Sequence, residues 1–143
     1  MRPTRTQHFM DIARLVAQRS TCKRANVGAV LVSRDNHIVS SGYNGSPPGS
    51  HHCLDVGCLM HKDHCIRTIH AELNAILNLE HRYEGLTLYC THQPCLHCYK
   101  ALYTIKVEQI YYLEPYKDDA RDALIFDLGF PQVCKMVQMK VGI

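Results

Sequence analysis

Apolar positions recur at helical spacing through Phe9, Ile12, Ala13, Val16 and Ala17, which predicts an amphipathic helix over residues 6–19. The unbroken apolar run at 27–32 reads as a strand. A turn at 33–36, made of Ser33, Arg34, Asp35 and Asn36, returns the chain into a second strand at 37–43. Periodicity then lapses from 44 to 68. It resumes in an Ala- and Leu-rich helix at 69–79, a strand at 86–91 and a helix running from Pro94 to about 105, with Pro94 at the first helical position. A β-rich strand at 107–113 follows, then a helix at 120–128 stopped by Gly129 and Pro131, and a last strand at 132–136. The order is αββαβαβαβ. Strands that alternate with helices pair in parallel through right-handed crossovers. The class is therefore α/β, with a mixed five-stranded sheet and helices on both faces.

A chain of 143 residues, 46% hydrophobic and 20% charged, is expected to form one folded domain over 1–143, with an insertion loop at about 44–68. A structureless stretch of that length is usually functional or held by something other than a core. No apolar run reaches the roughly 18 residues of a membrane span, and Met1–Arg5 lacks a signal-peptide pattern. The expectation is a cytoplasmic protein with no membrane partner. A net charge of +3 is too mild to call for a nucleic-acid partner, although a small anion fits.

Eight cysteines and ten histidines change the picture. Without a secretory context, metal ligation explains them better than disulfides. Cys90 and Cys134 sit in strand-like apolar runs and read as small buried hydrophobes. His70 and Glu72 open one predicted helix, and Cys95 and Cys98 open the next. One strand separates the two helices, so a βαβ arrangement brings both starts to one sheet edge. Imidazole and two thiolates suit zinc and leave a fourth position for water. Helix N-termini favour thiolate over thiol. Glu72, two residues past His70, is placed to stand over that open position as the proton shuttle. His97, between the two cysteines, reads as a surface or packing residue.

The pattern His70-x-Glu72…Pro94-Cys95-x-x-Cys98 has the spacing of the zinc deaminases. Over residues 19–117 the chain resembles the deoxycytidylate (dCMP) deaminases, including the late-competence deaminase-like proteins of bacteria. The similarity is carried by Arg19-Ser20-Thr21-Cys22, Val27-Gly28-Ala29-Val30, Gly42-Tyr43-Asn44-Gly45-Ser46-Pro47, His52-Cys53, the segment from Arg67 to Ile76, Pro94-Cys95-x-x-Cys98 and Glu114-Pro115-Tyr116-Lys117. The resemblance implies a three-layer α-β-α cytidine-deaminase-like fold and hydrolysis of dCMP to dUMP and ammonia by zinc-activated water, feeding dTMP synthesis. It also implies a homo-oligomer, most often a hexamer, with dCTP and Mg²⁺ as activators and dTTP as inhibitor. Val27 and Ala71 are expected beside the base, Val27 equally as plain core. Asn44 is expected on the sugar or phosphate, with a turn role as the alternative. Tyr116 is expected against the nucleotide or in an interface. Arg24, Lys23 and Lys117 are phosphate candidates or plain surface charges. Some relatives carry a second, structural zinc, for which Cys22, Cys53, Cys58 and Cys65 remain. His51, His52, His61 or His64 are alternatives for one of those ligands.

Other readings are a deaminase acting on dCTP as well as dCMP, one acting on a nucleoside, base or RNA, and a zinc module without catalysis. An intact Glu72 speaks against the last, because a structural site has no use for that carboxylate.

Overall fold

The computed structural model describes residues 1–129 and 134–140. Its elements are α1 (Arg5–Ala17), β1 (Gly28–Val32), β2 (Ile38–Tyr43), α2 (Cys53–Val56), β3 (Met60–His61), β4 (His64–Cys65), α3 (Ala71–Leu77), β5 (Leu86–His92), α4 (Leu96–Thr104), β6 (Val107–Glu114), α5 (Asp119–Leu128) and β7 (Lys135–Gln138). Five strands form one mixed sheet, as the alternation of elements predicts, and their order is β2-β1-β5-β6-β7. Pairing is parallel for β5–β6 and β6–β7, and antiparallel for β1–β2 and β1–β5. Of the last strand as read from sequence, Gln132 and Val133 lie outside the described residues, as does Pro131. The described strand runs on to Gln138.

Alternation along the strands sends side chains to two cores. Val30, Val32 and Tyr89 face α1, where they meet Phe9, Met10 and Ala13. Ala29, Leu31, Leu88 and Cys90 face the other way, onto Ala71 and Ala75 of α3 and onto Tyr99 and Leu102 of α4, with Leu124 and Leu128 of α5 packed alongside. Helices therefore cover both faces. Cys90 is fully buried and Cys134 nearly so, as their apolar surroundings suggest.

Two glycines set how closely the helices approach. A Cβ on Gly28 would lie 2.1 Å from the Ala13 carbonyl oxygen, and one on Gly42 would lie 2.4 Å from the Ala75 nitrogen. Backbone meets backbone at both places, so α1 and α3 rest directly on the β1–β2 hairpin.

The stretch 44–68 is more ordered than its sequence suggests. It holds the one-turn helix α2 and the small antiparallel pair β3–β4. Gly45 and Ile69 form an isolated bridge that ties its two ends together. No described helix is long and apolar enough to cross a membrane.

Candidate active site

The C-terminal end of a parallel strand is the usual ligand crevice of an open α/β sheet. Here that end is His92 of β5, from which Gln93, Pro94 and Cys95 lead into α4. Because β1 runs antiparallel to β5, the start of β1 and the end of β2 reach the same edge and bring Val27 and Asn44 there. The N-terminus of α3 lies at this edge too. His70 is the N-cap of α3 and Cys95 that of α4. Both helices thus begin slightly later than the sequence suggests, and Pro94 precedes the cap of α4. As caps, His70 and Cys95 have extended backbone, so their side chains lie at the helix mouths.

His70, Cys95 and Cys98 come together with their ligand atoms all within 4.8 Å of one another. His70 Nδ1 lies 3.3 Å from Cys98 Sγ and 3.6 Å from Cys95 Sγ. Around a tetrahedral zinc with ordinary bond lengths, nitrogen and sulfur ligands sit about 3.6 Å apart. The donor set and its spacing fit zinc. The local charges favour a cation as well. Hydrogen bonds from Cys98 and then His70 hold the Cys95 thiol down to about 3, against an ordinary 9.0. The Cys95 thiolate in turn raises His70, and the proton shared with Cys95, together with burial, raises Cys98. These protons leave when a metal takes the three atoms.

Glu72 is 5% exposed in the first turn of α3. Burial raises its carboxyl above the ordinary value, with its own backbone N–H and His70 opposing. A raised carboxyl suits a group that must both take and give a proton. Cys90, buried nearby, stays a neutral thiol because burial and then the Glu72 charge push it well above its ordinary value.

Glu72, His70 and Cys95 line a cavity of about 450 Å³, together with Val27, Asn44, Ala71 and Tyr116. Val27, Asn44, Ala71 and Tyr116 therefore stand on one cavity, whereas Lys23 and Lys117 do not line it. Asn44 differs from the open turn residue expected. It is 7% exposed, its Oδ1 accepts from the Val27 N–H at 2.8 Å, and its Nδ2 donates to the Ala25 carbonyl at 2.7 Å. Asn44 is thus the clamp that shapes the 25–27 wall. Tyr116 stands exposed at the rim. Arg24 lines the cavity, and its Nη1 donates to the Asp63 carbonyl at 3.0 Å. Lys23 and Lys117 are exposed, as is His97.

Cys53, Cys58 and Cys65 form a second group whose sulfurs lie within 4.8 Å of one another. The Cys53 and Cys65 sulfurs are 3.7 Å apart, against about 3.8 Å for two thiolates on a tetrahedral zinc. Burial alone would push the Cys65 thiol up, but the backbone N–H groups of Arg67 and Leu59 outweigh it and bring it to about 7. Cys22 departs from the expected four-cysteine set. It is buried outside this group, and its sulfur accepts from the Arg24 N–H at 3.4 Å. The reason is local. The β3–β4 hairpin pairs Cys65 with Met60, and its sulfur meets that of Cys53, whereas the Cys22 N–H donates to Ser20 Oγ in its own turn.

The sequence reading missed three residues here. His92 lines the cavity, and burial lowers it below its ordinary 6.5. Its position as the last strand residue before Pro94-Cys95 is a signal that could have marked it. Asp118 caps α5, its Oδ1 accepting from the Arg121 N–H at 3.1 Å, and its Oδ2 also accepts from the Leu96 N–H at 2.8 Å. The third is Arg121, 2% exposed beneath the Pro94 loop.

The hydrogen bonds from Arg121 N–H and then Leu96 N–H hold Asp118 below its ordinary 3.8. A carboxyl lowered in the folded state stabilises the fold fully above the unfolded value. That contribution fades as pH falls through the lower folded value. Asp118→Ala is therefore expected to cost about 1 kcal/mol at pH 7, with the gap to wild type closing in strong acid. Unfolding midpoints measured across pH check both parts.

The sequence profile of the cytidine and deoxycytidylate deaminase zinc-binding region matches residues 3–114. The chain belongs to this family. ComE operon protein 2 of Bacillus subtilis is 48% identical over 114 residues, which cover 78% of this chain and 60% of that protein. The deoxycytidylate deaminase of Schizosaccharomyces pombe is 35% identical over 143 residues, 92% of this chain and 44% of that enzyme. The chain thus spans less than two thirds of the length of these curated relatives. The dCMP deaminase of cyanophage S-TIM5, solved in complex with dCMP and dUMP, is 30% identical with a TM-score of 0.78, and the match covers 97% of this chain and 99% of that one. The cytidine-deaminase-like fold expected from sequence is the one observed.

Proposed function

We propose that this chain, acting as one deaminase domain, hydrolyses dCMP to dUMP and ammonia at the His70–Cys95–Cys98 site. The observation that carries the reading is a carboxylate 5% exposed, Glu72, on the same cavity as a zinc-fitting triad. A zinc ion held by this set supplies a Lewis acid that makes water acidic enough to ionise near neutral pH. Glu72 takes a proton from the attacking water and passes it to ring N3 as C4 becomes tetrahedral. It then takes the remaining proton from the C4 hydroxyl and delivers it to the amine as the C4–N bond breaks and the C4 carbonyl forms, so that water and dCMP balance dUMP and ammonia. Val27 and Ala71 wall the base, Asn44 fixes that wall, and Tyr116 covers the rim. The mouth carries Arg24, a cation suited to an anionic substrate.

The choice of dCMP rests on the S-TIM5 dCMP deaminase and its dCMP–dUMP complex. A role in supplying dUMP for dTMP synthesis belongs to the same reading. So do activation by dCTP with Mg²⁺, inhibition by dTTP, assembly as a homo-oligomer, favoured as a hexamer, and a place in the cytoplasm. A second, structural zinc on Cys53, Cys58 and Cys65 is part of the proposal. It would order a loop that few apolar side chains hold.

Loss of cytosine absorbance tests the substrate directly. Cytidine, dCMP, dCTP and a short cytosine oligonucleotide are compared, each with and without dCTP as effector. Turnover of dCMP well above the others is expected. Turnover of the oligonucleotide alone would move the chain to another branch of the family.

A further inference from the structure

We infer that Arg121 is a positioning residue that locks the metal-ligand loop and the substrate rim to each other. This rests on the reading of His70, Cys95 and Cys98 as the zinc site. Arg121 Nη1 donates to the Pro94 carbonyl at 2.9 Å and to the Tyr116 carbonyl at 2.8 Å. Pro94 is the residue before the ligand Cys95, and Tyr116 lines the cavity. One guanidinium nitrogen therefore joins the two walls. The remaining edge is held by Asp122, whose Oδ1 accepts from Nε at 3.1 Å and forms an ion pair with Nη2 at 3.1 Å.

A second contact from the same helical turn completes the hold. The Asp118 carboxylate accepts from the Leu96 N–H at 2.8 Å. Pro94 and Leu96 flank Cys95, so α5 grips the backbone on both sides of the sulfur ligand. The Tyr116 backbone is fixed on both sides as well, its N–H donating to Gln93 Oε1 at 3.0 Å. Outer partners of this kind set ligand orientation without touching the ion. A buried guanidinium whose contacts are two backbone carbonyls on the site, balanced by one rim carboxylate, is an expensive way to pack a helix. Its geometry is accounted for by the position of Cys95 and Tyr116. Lysine carries the charge but not the planar fork that spans both carbonyls and Asp122.

The test compares Arg121→Met, Arg121→Lys and Met10→Ala, the last a core change on the opposite sheet face that lowers stability without touching the site. Zinc release to a chromogenic chelator is followed for each holoprotein. The phase that disappears in Cys98→Ser is the one assigned to the His70 site. KM and kcat for dCMP are measured beside it. Arg121→Met is expected to release that zinc roughly 10- to 100-fold faster and to raise KM, with Arg121→Lys between it and wild type. Met10→Ala is expected to melt earlier yet release zinc at the wild-type rate. Wild-type release from Arg121→Met, or equal acceleration in Met10→Ala, would overturn the inference. If Arg121→Met does not fold, Arg121→Lys decides by the same rates. The release comparison needs no substrate, so a wild-type protein inert toward dCMP would sink the functional reading and leave this one standing or falling by itself.

Discussion

Glu72→Gln is expected to lower turnover by roughly 10²- to 10⁴-fold while zinc content stays at the wild-type level. The substitution is nearly isosteric, so the packing of α3 against β2 is kept. It removes the buried carboxyl beside the triad that takes and returns the proton in the proposed reaction. Glu72 is not drawn into the metal set, since the three ligand atoms come from His70, Cys95 and Cys98. Activity and zinc content therefore separate in this variant. Paired kinetics and metal analysis check it, and near-normal turnover would remove Glu72 from the mechanism.

Cys98→Ser is expected to lose both. Cys98 is fully buried in the first turn of α4, and its sulfur is 3.3 Å from the His70 nitrogen. A hydroxyl is a harder donor with a higher pKa, and two ligands hold zinc far less firmly than three. Turnover should fall at least as far as in Glu72→Gln. Metal analysis should show one zinc per chain fewer than wild type, and thermal unfolding should come earlier, because an ion that binds only the folded state stabilises it. Full zinc content with intact stability would show that Cys98 is not a ligand.

The parts of the site that were legible in sequence are those whose logic is local. Cys95 and Cys98 stand one helical turn apart, and His70 and Glu72 share the start of a helix, so each pair is placed by short-range geometry alone. Bringing the two pairs together needed only a strand between two helices. The antiparallel β1–β5 pairing was not legible, because strand direction across a sheet is set by tertiary packing, and it is this pairing that carries Val27 to the cavity. Cys22 was grouped with the loop cysteines on residue type, while its turn with Ser20 and Arg24 keeps it apart. Asn44 was read as a nucleotide contact, and its amide serves the backbone of Ala25 and Val27. Asp118 had a sequence signal, an Asp two residues before the expected helix start. Arg121 had none, since nothing in an amphipathic pattern marks an arginine that turns inward to reach carbonyls 27 and 5 residues away.

Anomalous diffraction from crystals of the zinc-loaded protein, collected on both sides of the zinc edge, tests the central claim most directly. A peak is expected between His70 Nδ1, Cys95 Sγ and Cys98 Sγ, at about 2.1 Å from nitrogen and about 2.3 Å from each sulfur. Its fourth ligand should be solvent, on the side facing the Glu72 carboxylate. No peak there, or a fourth side chain closing the tetrahedron, would contradict a hydrolytic zinc centre in this fold.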